Sequence, residues 1–177
     1  MCSHGVMFHH FHGPGHAPSQ GSISADALRD MIRAIGTKHI LPAQQFLEQT
    51  RAGRIKQSDV CLTFDDNLLC QYDIALPVLQ EFGLTAFWFI YTGPFDGQFE
   101  KLEIYRSFRN QRFNSVDAFY HSFEMIVSEE IDRSLNLFDP KKYLAEFPFY
   151  SESDRRFRFI RDEILGPQHY HAAMNRM

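Results

Sequence analysis

Hydrophobic positions repeat along the chain with two different periods, and the change from one to the other divides it. From Gly5 to His12 the residues are β-prone and run into Gly13-Pro14-Gly15, a turn signal, which predicts a first strand over 5–12. Ser24 then caps a helix in which Leu28, Met31, Ile32 and Ile35 recur at helical spacing, closed by Gly36. Leu41-Pro42 opens a second helix through Phe46 and Leu47 that Gly53 ends. Residues 60–66 form the clearest strand: short, apolar on both faces, and ending abruptly in Asp65 and Asp66, as buried parallel strands do. A helix over 74–82 follows, with Pro77 in its first turn or at a kink and Gly83 as cap, then a second fully apolar strand over 85–92, stopped by Gly93-Pro94. This β-α-β pattern predicts a parallel, adjacent strand pair joined by a right-handed crossover, within an unclosed sheet.

Beyond residue 94 the period becomes helical. Val116, Phe119, Tyr120, Phe123, Ile126, Val127 and Ile131 make one long stripe behind Ser115. Asp139-Pro140 opens a short helix, Ser153 starts another through Phe157, Ile160 and Ile164, and Gly166-Pro167 stops it. No strand is expected between 94 and 177, and residues 168–177 read as a helix just beginning. The expected organisation is therefore an α/β region over 1–93 and a Phe-rich helical region over 94–177, with the domain incomplete at its C-terminus.

Composition narrows the classes. The chain has 177 residues, enough for one domain or one with an appendage. Its 18 Lys+Arg against 22 Asp+Glu give a net charge of −4, which argues against a nucleic-acid partner. A hydrophobic fraction of 44% can build a core. No apolar run approaches the ~18 residues of a membrane span, and residues 1–10 lack the pattern of a secretory signal. Cys2, Cys61 and Cys70 are too few and wrongly spaced for a disulfide framework or a zinc ribbon. A reduced, soluble, cytoplasmic protein is expected. Of 18 Phe, 11 lie beyond residue 94, and their helical spacing points to core or a partner interface rather than a sugar platform. Any part left uncovered would favour a homo-oligomer.

Asp65 and Asp66 are the strongest chemical feature. Parallel sheets place ligands at the carboxyl ends of their strands, where loops are free to vary. Two neighbouring carboxylates repel, so a cation or a proton must relieve them. Successive strand residues point to opposite sides, which lets one acid hold a metal while the other stays free as a base. A lone Asp at a strand end often caps the next helix; a pair behind Val60 to Phe64 is harder to explain that way.

Leu62-Thr63-Phe64-Asp65-Asp66, then Leu76-Pro77-Val78-Leu79, Phe82-Gly83-Leu84-Thr85-Ala86 and the apolar run from Phe87 to Ile90 together resemble the first motif of the polysaccharide deacetylases, the NodB-homology proteins of carbohydrate esterase family four. The match covers residues 60–92, and the run from Met7 to Phe11 is similar to the opening strand of some members. The resemblance implies an α/β fold, a partial or distorted (β/α) barrel of the NodB-homology type with a helical insertion. It implies metal-dependent hydrolysis of an N-acetyl or O-acetyl group on a saccharide, with Asp65 as catalytic base and Asp66 as ligand to a divalent metal, zinc foremost. Where the family has Gly after the pair this chain has Asn67, the non-Gly residue that best tolerates a left-handed backbone.

The family's two remaining ligands come from a His-Ser/Thr-x-x-His segment. Here His121-Ser122 begins that pattern, but Met125 stands in the second His position. The later Arg motif and the general-acid His have no counterpart, so little or no deacetylase activity is expected of this chain alone, even with added metal. The His-rich start is a second candidate. His9 and His10 would line a substrate pocket, and in a strand over 6–12 His10 and His12 would point to one side, as in an amidohydrolase metal site. His4 and His16 read as surface or turn residues, and His169 and His171 diverge if helical. The competing expectations are a non-catalytic saccharide-binding or scaffold domain and an amidohydrolase-like enzyme centred on His10 and His12.

Overall fold

The computed structural model describes residues 4–131 and 134–177; Cys2 lies outside them. The chain divides into two compact units, Met1–Phe99 and Glu100–Met177. Among the described residues no helix is long and apolar enough to cross a membrane.

The first unit is built on three parallel strands, β1 (His4–Phe8), β2 (Val60–Phe64) and β3 (Phe87–Trp88), in the order β1-β2-β3. β1 pairs with β2 from His4↔Val60 to Phe8↔Phe64, and β2 pairs with β3 at Thr63↔Phe87 and Phe64↔Trp88. Between β1 and β2 run α1 (Ala25–Ile35) and α2 (Ala43–Arg51). The Ser24 side chain accepts the Ala27 N–H at the start of α1, and Gly36 closes it. Between β2 and β3 a wide helical turn, Gln71–Ala75, leads without a break into α3 (Leu76–Glu81), and Pro77 falls directly after that wide turn. One core joins Leu28 and Ile32 of α1, Val78 and Leu79 of α3, and Phe8, Leu62 and Phe64 of the sheet.

That core explains the strand order. Each crossover advances one place in the same direction, and α1 and α3 pack on one face of the sheet. Residues two apart share a face. Val6, Phe8, Leu62, Phe64 and Trp88 turn toward the helices, with Phe8 stacked on Phe64 at 5.6 Å and Phe64 on Trp88 at 4.4 Å.

The expected barrel is overturned. Among the described residues the sheet is open, with three strands. Closure would require further strands beyond β3, and the second unit supplies only helices and turns among its described residues. The two apolar runs are also shorter as strands than their sequences predict. β1 ends at Phe8, after which Phe11 bridges to Ile23 rather than to β2. β3 keeps two residues in place of 85–92, because β2 turns away at Asp66 and Asn67 and leaves residues 90–92 nothing to pair with.

The second unit is helical: α4 (Lys101–Arg112), α5 (Val116–Ile126), α6 (Ser128–Ile131), α7 (Glu152–Phe159) and α8 (Gly166–Arg176). Ser115 caps α5, and Ser151 with Asp154 forms a reciprocal capping box on α7. Asp139-Pro140 opens turns instead of the expected helix, and within them Leu144 takes a left-handed φ of 52°, which an α-helix does not admit. The Phe stripe is core. Phe119, Phe123 and Phe157 are buried, and Phe123 and Phe157 meet edge to face at 5.2 Å.

Candidate functional site

One residue beyond the Phe8–Phe64–Trp88 row, the three strands are still tied. The Asp65 N–H donates to the Phe8 carbonyl at 3.3 Å, and the Phe89 N–H donates to the Phe64 carbonyl at 2.8 Å. His9, Asp65 and Phe89 therefore form the next row at the carboxyl edge. Strand alternation turns their side chains to the face opposite the α1 and α3 core. Hydrophobic packing of one row thus aims an imidazole, a carboxylate and a phenyl ring outward in the next.

Asp66 follows with φ of 67°, and Asn67 with φ of 51°. Two successive non-glycine residues in left-handed backbone cost about 1–2 kcal/mol each, a kind of strain that concentrates at functional sites. The turn brings the Asp66 carboxylate to His9, with Nε2 to Oδ2 at 2.8 Å. A carboxylate only accepts, so Nε2 donates and Nδ1 keeps the lone pair. Both side chains are a little over one-third exposed. Among the described residues the Asp65 carboxylate makes no hydrogen bond or ion pair, while its main-chain carbonyl is held.

The holder is Gln71, which sequence reasoning missed. It is fully buried, and its Nε2 donates to the carbonyls of His9 at 2.8 Å and Asp65 at 2.6 Å. Its Oε1 accepts the Leu68 N–H at 3.2 Å. One amide thus clamps the ends of both strands and the turn after them. A signal existed: Gln71 shares helical spacing with Ile74, Ala75 and Val78, so it is a polar side chain on a buried face.

The His-rich segment is distributed. The His9 and His10 rings lie 4.1 Å apart, and their ligand-capable nitrogens are within 4.8 Å. His12 bonds Ser22 Oγ at 2.9 Å, and His16 bonds Asp73 at 2.7 Å. Because β1 stops at Phe8, His10 and His12 are not paired by strand alternation, and the expected H-x-H arrangement loses its basis. In the second unit, His121 and Met125 are exposed on α5. On α8, His169 bonds the Leu165 carbonyl and His171 the Tyr105 hydroxyl, so that H-x-H pair is divided between two partners. Cys61 and Cys70 are buried, Cys70 Sγ accepts the Phe11 N–H at 3.5 Å, and burial pushes the Cys61 thiol up from its ordinary pKa.

The edge residues fit a divalent cation of the zinc type. Asp66 offers an oxygen, and His9 and His10 offer imidazole nitrogens, a donor set suited to borderline transition metals. The 2.8 Å separation of Asp66 Oδ2 from His9 Nε2 is that of a hydrogen bond, so a cation bound between them would take the place of the shared proton. The chain matches no protein-family model, no curated protein and no solved structure.

Proposed function

We propose that the chain acts as a metal-dependent carbohydrate deacetylase, removing acetyl from an N-acetylated saccharide. The observation that carries this reading is the juxtaposition, at one carboxyl edge, of a free carboxylate (Asp65) with a second carboxylate bonded to an imidazole (Asp66 and His9). The resemblance of residues 60–92 to the NodB-homology motif supports it. So does the left-handed backbone at Asn67, where that motif has glycine.

Asp66, with His9 bonded to it and the His10 ring next to that of His9, would hold the cation. When bound, the ion supplies Lewis acidity toward the acetyl carbonyl. Asp65 acts as general base: its carboxylate takes a proton from the attacking water. Gln71 keeps the backbone of Asp65 and His9 in place while that proton moves.

The test is acetate release from a chitin oligosaccharide by the purified chain. Slow release that rises with added zinc and stops on chelation is the expected result. No release at saturating zinc, or release indifferent to chelation, would contradict the reading.

A further inference from the structure

We infer that Phe89 is the sugar-stacking platform of this site. The inference rests on the deacetylase reading and assigns where the pyranose ring lies. Phe89 is 54% exposed although it directly follows the buried sheet. Its N–H is bonded to the Phe64 carbonyl, so it stands one strand away from Asp65, in register with it. Adjacent strands are about 4.8 Å apart, and both residues fall on the face opposite the α1 and α3 core.

The ring is also braced. Phe87, two residues earlier on the same face, lies nearly parallel to it at 6.5 Å and 16°, and Phe87 in turn meets Phe46 edge to face at 6.4 Å. A held aromatic ring that remains open to solvent beside a free carboxylate is an amphipathic surface. A pyranoside matches it: its C–H bonds pack on the ring while its amide and hydroxyl groups turn toward Asp65 and Asp66. A purely apolar ligand would strand the carboxylates, and a purely ionic one would leave the ring uncovered. An N-acetylated pyranose satisfies both. Phe95, at 82% exposed, serves as a control because it lies beyond β3 and outside this row.

The experiment is calorimetric titration of the zinc-supplemented chain with tri-N-acetylchitotriose. Near-ultraviolet dichroism of Trp88, the only tryptophan, confirms that each variant is folded. Phe89→Ala should weaken binding roughly three- to tenfold, the worth of one aromatic contact. Phe89→Tyr should stay within about twofold of the wild type, and Phe95→Ala should match it. Asp65→Asn should still bind, since it keeps the shape. If Phe89→Ala binds as well as wild type while zinc-dependent acetate release persists, the platform is wrong and the deacetylase reading survives. If the wild-type chain binds no trisaccharide, both fall.

Discussion

In the first unit the large rings lie flat across the sheet, Phe64 on Trp88 at 12° and on Phe8 at 29°. In the second they meet mostly edge to face around Phe123 and Phe157, as helical packing allows. The consequences for polar groups are opposite. A flat row across three strands forces the following row out on the other face, so His9 and Asp65 emerge at an accessible edge. The helical core has no such alternation, and its polar groups turn inward. Tyr120 donates to Asp154 at 2.7 Å, both buried, and Asp154 also completes the α7 cap. The second unit is the richer in aromatic residues, yet it is the packing of the first that sets His9 and Asp65 at an accessible edge.

The comparison can be broken most severely in the helical core. Phe123→Ala should cost about 3–5 kcal/mol, the usual range for emptying a buried Phe site, and denaturant melts followed on the second unit's tyrosines would measure it. A loss below about 1 kcal/mol would mean that the edge-to-face cluster is not the core of that unit. Gln71→Leu should come next. It leaves the His9 and Asp65 carbonyls without their donor, at about 1–3 kcal/mol. It should also raise hydrogen exchange at the turn after β2 while leaving α5 and α7 unchanged.

The tyrosines give a pH signature confined to the second unit. Burial, then the bond to Asp154, holds the Tyr120 phenol well above its ordinary range, and burial pushes Tyr170 up to about 12. Both raised values mean that the folded state favours the neutral phenol. Their contribution is therefore complete below the unfolded pKa of about 10 and is lost as pH rises through the folded values. Melting temperature against pH should fall above about pH 10 and flatten in the Tyr120→Phe, Tyr170→Phe double variant. The smallest effect is expected at Asn67→Gly, which relieves a φ of 51°. Gains of a few tenths to about 1 kcal/mol should result, set against the extra unfolded-state freedom of glycine. Destabilisation there would show that the Asn67 side chain has a task the backbone does not explain.

Much of this was legible because it depends on short-range pattern. Ser24 and Gly36 bound α1, the doubled Asp ends β2, and the Phe stripe behind Ser115 became core. What sequence could not supply was long-range pairing. The apolar runs over 5–12 and 85–92 look like full strands, yet strand length is set by the partner. β2 ends its ladder at the left-handed Asp66, so β3 shrinks to two residues and the implied barrel gives way to an open sheet. The roles of Gln71 and of Phe89 were hidden for the same reason. Each depends on which carbonyl lies opposite, and that follows only from register.

The central claim is that Asp65 and Asp66 divide base and cation between them. The direct measurement is zinc content by mass spectrometry, paired with acetate release, for Asp65→Asn and Asp66→Ala. Asp65→Asn should keep its zinc and lose on the order of a hundred- to ten-thousand-fold in rate, with no rescue by excess metal. Asp66→Ala should lose zinc and recover part of its rate when metal is supplied. An Asp65→Asn chain that is empty of zinc beside an Asp66→Ala chain that is full would reverse the roles, and unchanged zinc in both would reduce the pair to a turn.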